Sequence, residues 1–328
     1  LLQAVLGIID TEHYEYGELF NEINRHTGGI GTSLELYPDV TKVKEKEFKA
    51  TFEIKGKALY GQIPFAIRMM KEILTASKLD DEKRLKEILS MTKTRLQDRF
   101  LSAGHSAAAL RAMSYKSPIS KFKDTTNGIE YYQNIREMEE HFDEKKEEII
   151  SGLKALSELL FRKGNVMISY TASREGLAVL EEEIGSLKEA LYPERMPESR
   201  CILHCEKKNE GFKTSSKVQF AAKAGNFIDA GEEYNGALQI LKVIMSYEYL
   251  WINIRVKGGA YGCMSNFNRL GEGYFVSYRD PNLGRTLEIY DGVPEYLENF
   301  TVSERDMTKY IIGTISGIDQ PLEPAALG

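Results

Sequence analysis

Along residues 14–26 apolar side chains recur at helical spacing, with Tyr16, Leu19, Phe20 and Ile23 on one face. The run stops at Gly28-Gly29, where glycine accepts a left-handed cap. The period then changes to two, which predicts strands over residues 30–37 and 47–57. In the second, Phe48, Ala50, Phe52 and Ile54 alternate with Lys49, Thr51, Glu53 and Lys55. A helix is predicted from about Pro64. Another follows Leu79-Asp80-Asp81, with Leu85, Ile88, Leu89, Leu96 and Phe100 on its apolar face. Further along, residues 165–170 alternate as a strand would and residues 174–191 read as a helix.

The same pattern recurs in the second half of the chain. Arg25-His26-Thr27-Gly28-Gly29-Ile30-Gly31 aligns with Arg255-Val256-Lys257-Gly258-Gly259-Ala260-Tyr261 at one fixed shift. At that shift the aromatic-rich helix with Tyr247, Tyr249, Leu250 and Ile254 falls on the helix before Arg25. The strand Gly273–Tyr278 likewise falls on the one containing Phe52. At a slightly smaller shift, Thr301–Arg305 matches Leu79–Lys83. The leading strand expected at Val218–Lys223 has no counterpart in the first copy, and the second copy stops before the first one's later helices. The chain therefore reads as clipped at both ends, and its apolar start, without an initiator Met or basic flank, reads as a helix cut from a longer protein.

Pro193, Pro197 and the polar run Glu206–Gly211 read as a linker, dividing the chain into units of residues 1–208 and 209–328. Runs of helix beside adjacent antiparallel-type strands, rather than strict alternation, make the class α+β, with two homologous domains of antiparallel sheet packed with helices.

Composition narrows the functional classes. With 42% hydrophobic residues in 328, the chain can bury a substantial core, which excludes disorder and fibrous structure. A net charge of -6 argues against nucleic acid and anionic membrane as partners, since both need a clustered basic excess. Three cysteines, Cys201, Cys205 and Cys263, are too few for a disulfide framework and fit a reducing, cytoplasmic location. No window is apolar enough to span a bilayer.

Catalytic signatures are scarce. His141-Phe142-Asp143-Glu144-Lys145 lacks the second histidine of a zinc-peptidase helix and sits among charges, as an exposed helix face would. In Cys201-Ile202-Leu203-His204-Cys205, a strand would point His204 away from both cysteines, which favours a structural role over a metal site. No nucleophile elbow or phosphate loop occurs. The remaining candidate is the turn from Arg255 to Tyr261, where two glycines bring a guanidinium and a phenol to one edge as two donors for an oxyanion. Arg255 also has a structural reason to be there, because a cation favours the last turn of a helix. Tyr261 has none, since the first copy makes the same turn with Gly31.

Asn209-Glu210-Gly211-Phe212, Val218-Gln219-Phe220 and Arg255–Gly262 together resemble the insulinase-type (pitrilysin, inverzincin) zinc peptidases. Ser277–Leu283 and Ile312–Asp319, with Pro321, Pro324 and Gly328, are similar to the presequence-protease branch. The resemblance is specific over residues 209–328 and architectural before them. It implies a LuxS/processing-peptidase-like fold, and an endopeptidase whose two halves close around short, unstructured peptides. In that family the zinc site, His-x-x-Glu-His plus a distant Glu, lies in the N-terminal half, so this chain corresponds to the C-terminal half and carries no metal ligands. Its partners would be that N-terminal half and peptide substrates. Tyr261 and Arg255 would be catalytic donors to the substrate carbonyl, with Gly258, Gly259 and Ala260 binding substrate, and the segment alone would be inactive. The alternative is a non-catalytic peptide-binding or scaffold subunit of the same superfamily.

Overall fold

A computed structural model describes residues 1–194 and 202–322. The expected elements near the start form where the periodicity places them. After a short helix α1 (Leu2–Val5), α2 (Tyr16–His26) buries Leu19 and Ile23. It leads into the hairpin β1 (Ile30–Pro38) and β2 (Phe48–Gly56), antiparallel with Leu34 opposite Phe52. Helix α3 (Ile63–Thr75) starts with a proline in its first turn, where the missing N–H costs nothing. Helix α4 (Glu82–Ser114) is capped by the Asp81 carboxylate, which accepts from the Arg84 N–H at 2.9 Å.

Helix α4 lines the first core with Leu85, Ile88 and Leu89, all fully buried, against Leu19, Ile73 and Ile135. The covering helices are α5 (Pro118–Asn127), α6 (Ile129–Glu140) and α7 (Phe142–Leu160). A further helix, α8 (Arg174–Ala190), packs through Leu187 on Ile63 and Ile67 of α3. His141 stands at the α6–α7 junction, half exposed and 3.5 Å from Glu144, in keeping with a solvated charged surface.

The second sheet has three antiparallel strands in the order β3 (Ala222–Asn226), β5 (Glu272–Tyr278), β4 (Gly262–Phe267). Helices α9 (Ala237–Tyr247), α10 (Gly284–Asp291), α11 (Val293–Glu298) and α12 (Glu304–Ile318) accompany it. Met245, Leu250, Ile254, Cys263 and Tyr290 form its core. Where β3 flanks β5, nothing among the described residues flanks β2 beyond β1.

Three expectations need correction. Residues 165–170 form no strand: Lys163–Asn165 is a 3-10 turn and the stretch after it has no ladder partner. Its alternation reflects only that Val166 packs on the first core while Met167 is exposed. The leading strand expected at 218–223 begins instead at Ala222, preceded by an isolated bridge from Gln219 to Asp280, because the Ser277 hydroxyl takes the Ala221 N–H and interrupts the ladder. Around Cys201–Cys205, Cys201 lies outside the described residues, as do Pro197, Pro324 and Gly328. Residues 202–205 run irregularly with Ile202 exposed rather than as a strand.

The two units meet along the C-terminal part of α4. The helix breaks at Ala103 (φ -129°, ψ 36°), and beyond the break Gly104 and His105 face the second sheet. A Cβ on Gly104 would stand 2.5 Å from the Phe220 ring, so that approach requires glycine. The His105 ring packs on Tyr278 at 4.8 Å, and burial pushes its pKa down. Further along, Arg111 holds the Glu210 carboxylate with contacts of 2.8 and 3.1 Å, and the Ser120 hydroxyl donates to the buried Glu272.

Candidate functional site

The turn from Arg255 to Tyr261 is built on an irregular helix. Helix α9 ends at Glu248, and Trp251–Val256 continues as a π-helix whose last turn holds Arg255. Such wide turns displace a side chain from the regular helical face and recur at functional sites. The chain then reverses through Gly258 and Gly259. At Gly258 a Cβ would meet the Ile254 carbonyl oxygen at 2.4 Å, and Gly259 sits at φ +78°, a region L-residues avoid. The Gly259 N–H bonds the Arg255 carbonyl at 2.9 Å and the Ala260 N–H bonds that of Ile254 at 3.1 Å, closing the turn.

This geometry fixes both predicted donors. The Arg255 guanidinium lies 4.2 Å above the Trp251 ring and 5.5 Å from the Tyr261 ring, and donates to the Tyr261 carbonyl. Tyr261 is anchored through its N–H to Tyr278 O at 3.0 Å, while its side chain is 65% exposed. Among the described residues the Tyr261 hydroxyl has no hydrogen-bond partner and Arg255 has no carboxylate partner. The first copy differs: Arg25 forms an ion pair with Glu22 of its own helix at 2.5 Å, and Gly31 leaves the following position without a side chain. Duplication has kept the turn and changed the chemistry on it.

Around these groups lies an open cleft of about 470 Å³ walled by Val218, Val256, Gly259 and Ala260, with Arg255, Tyr261 and Arg279 supplying its polar groups. Of the three backbone positions expected to bind substrate, Gly259 and Ala260 line the cleft. Gly258 lies behind it, its carbonyl accepting from Asn282 Nδ2 at 2.7 Å. Beneath the cleft the Cys263 thiol is buried, which raises its pKa to about 11 and leaves it a neutral packing group.

Sequence reasoning assigned no role to Arg279 or Tyr278, although both stand in the run Ser277–Leu283. Arg279 is in the left-handed region at φ 49°, and Tyr278 packs edge-on against Tyr261 with centroids 5.7 Å apart. Among the described residues no three His, Cys, Asp or Glu side chains stand together as a metal site, and no helix is long and apolar enough to cross a membrane. The residues present thus do not fit a resident zinc ion.

The family model for the region associated with subfamily C of the M16 peptidases matches residues 1–138, and the one described as "PreP C-terminal domain" matches residues 209–328. The chain is 39% identical over its whole length to "Protein HypA" of Clostridium perfringens (strain 13 / Type A), covering 33% of that protein. It is 29% identical to "Presequence protease 1, chloroplastic/mitochondrial" of Arabidopsis thaliana, over 97% of this chain and 29% of the relative. It thus spans about a third of the length of these relatives. The solved structure of a conserved protein from Enterococcus faecalis V583 superposes with a TM-score of 0.51 at 12% identity, over 97% of this chain and 75% of that one, a likeness of fold alone. With separate matches to its two regions and presequence proteases among its relatives, the chain belongs to the M16 peptidases of presequence-protease type.

Proposed function

We propose that the full-length protein is a zinc endopeptidase of short, unstructured peptides, and that this chain supplies a wall of the substrate chamber together with two active-site donors. The zinc is assigned to residues outside this chain, with which it would have to associate; the segment alone would not cleave. The observation that carries this reading is the pairing at the cleft of a Tyr261 hydroxyl and an Arg255 guanidinium, both without a partner that would compete for substrate.

In this reading the substrate backbone lies along Gly259 and Ala260, with its scissile carbonyl oxygen between the two donors. Attack on that carbonyl converts a neutral oxygen into an oxyanion. Donors already in place stabilise the developing charge more than the ground state, without reorganising at the moment of reaction. Arg255 is held by its stack on Trp251 and its bond to the Tyr261 carbonyl, so its remaining N–H groups face the cleft at little entropic cost. Tyr261 stays a neutral O–H donor.

The test is Tyr261→Phe in the full-length protein, with peptide turnover and zinc content measured together. Loss of one oxyanion donor is expected to lower turnover roughly a hundredfold to a thousandfold, with zinc retained. Unchanged turnover would remove Tyr261 from the chemistry. A wild-type protein that binds peptides and cleaves none would instead make this a peptide-binding subunit.

A further inference from the structure

We propose that Arg279 is a specificity-determining residue which, beside Arg255, makes the cleft a receptor for a carboxylate of the bound peptide, supplied by an acidic side chain or the C-terminus. The inference rests on the reading that the ligand of this cleft is a peptide.

Its first support is the backbone. Arg279 and Lys46 are the non-glycine residues described with positive φ, and an L-residue persists in that region when its surroundings over-determine it. The constraint here is Asp280, which is completely buried. Its N–H and carbonyl both pair with Gln219 at 2.9 Å, and its carboxylate accepts from the Asn282 N–H at 2.8 Å and the Thr286 hydroxyl at 2.6 Å. The turn is pinned on one side of Arg279 and the strand β5 on the other, so the side chain lies at the cleft rather than turned outward.

Its second support is the way the two cations are held. Arg255 lies over Trp251 at 4.2 Å and near Tyr261 at 5.5 Å. Tyr261 meets Tyr278 at 5.7 Å, and the Arg279 guanidinium sits 5.5 Å from the Tyr278 ring. The result is a continuous row of cations and rings around one cleft. Contact with a ring occupies the guanidinium face and leaves the in-plane N–H edge for a ligand.

Its third support is charge. Among the described residues neither Arg255 nor Arg279 has a carboxylate partner, whereas Arg25, Arg84, Arg111 and Arg136 each have one. In a chain of net charge -6, two unpaired guanidiniums at one cleft form a local positive site. A neutral peptide carbonyl is satisfied by Tyr261 and Arg255. A second guanidinium is repaid by an anionic group, and its planar fork matches a carboxylate.

The test uses the full-length protein and labelled unstructured decapeptides in two matched pairs, Glu against Gln at one position and a free against an amidated C-terminus. Binding is read by anisotropy with chelator present, so no cleavage is needed. Wild type should bind the carboxylate member of at least one pair about fivefold to tenfold tighter, with the preference fading at high salt. Arg279→Gln should abolish that preference while leaving affinity for neutral peptides within about twofold. Arg279→Asn, suited to a left-handed backbone, separates loss of charge from loss of the turn and should behave alike. The responding pair identifies the source of the carboxylate. No preference in wild type, or a loss shared equally by charged and neutral peptides, would overturn the proposal. Because cleavage is not read, failure of the protease assignment leaves this result interpretable on its own.

Discussion

The ring of Tyr278 meets that of Tyr261 edge to face at 75°, and the Tyr278 hydroxyl reaches back to the Ser102 carbonyl at 3.4 Å, beside the break in α4. One side chain thus touches the proposed donor at one end and the neighbouring unit at the other. The placement of the two units relative to each other is thereby linked to the position of Tyr261. His105, on the same break, packs on the Tyr278 ring from the far side.

Removal of this prop should separate ring packing from the hydroxyl contact. Tyr278→Ala in the full-length protein is expected to lower kcat about tenfold with a smaller change in KM, since an aromatic pair contributes roughly 0.5–1.5 kcal/mol of positioning. Tyr278→Phe keeps the edge contact and loses only a long hydrogen bond, so it should stay within about threefold of wild type. Equal losses in the two variants would show that the ring contact does not position Tyr261. Steady-state kinetics on one peptide substrate decides between these outcomes.

The segment that joins the units carries a second link. Glu210 is held by Arg111 and Tyr115, while Arg111 also contacts the buried Asp124 at 2.6 Å and Glu130 at 3.5 Å. The Arg111 hydrogen bond lowers the Glu210 pKa from its ordinary 4.5, against the opposing effect of burial. A depressed carboxylate pKa gives stability that is complete above pH 4.5 and is lost as pH falls through the lower native value. Hydrogen exchange over residues 202–214 should therefore be slow at pH 7 and rise on acidification below pH 4.5. Glu210→Gln should show the faster exchange already at pH 7.

These relationships differ in how far the sequence discloses them. The turn at Gly258-Gly259 is legible because it is local: the helix period ends, two glycines follow, and the first copy repeats it at Gly28-Gly29. The hairpin Ile30–Gly56 is legible because each strand shows its period of two. The conformation of Arg279 is not, because the Asp280 turn that holds it depends on Gln219, remote in sequence and adjacent only after folding. The π-helical turn at Trp251–Val256 is hidden for a related reason: its residues carry ordinary helical apolarity, and the extra residue per turn shows only in the packing of Ile254. At residues 165–170 the error runs the other way, since alternating apolar residues describe a half-buried surface whether or not a neighbouring strand exists.

The buried thiol beneath the cleft gives a chemical readout of the second core. Burial raises the Cys263 pKa from 9.0 to about 11, Arg255 pulling it down and Asp280 up. An acidic group with a raised pKa contributes stability that is complete below pH 9.0 and declines as pH rises toward about 11. Since the thiolate is the nucleophile, Cys263 should resist alkylation at pH 8 in the native protein and react once denaturant is added. Peptide mapping after labelling distinguishes it from Cys205, which is only half-buried. Rapid native labelling at Cys263 would show that the second core opens.

The two glycines of the active turn should fail for different reasons when substituted. At Gly258 the obstacle is fixed backbone, Ile254 O at 2.4 Å and Asn253 O at 3.0 Å, so Gly258→Ala must push the π-helical turn and Arg255 with it. A cost of about 1–3 kcal/mol and a fall in turnover are expected together. At Gly259 the space is open, the nearest atom being Pro281 Cγ at 3.7 Å, and the obstacle is φ +78°. Gly259→Ala should then cost about 1–2 kcal/mol, and Gly259→Asn less, because its short polar side chain tolerates the left-handed region. Thermal melts of the three variants, each paired with peptide turnover by the full-length protein, check the order. An Asn variant no better than Ala at Gly259 would mean that steric contact rather than backbone strain sets the requirement for glycine there.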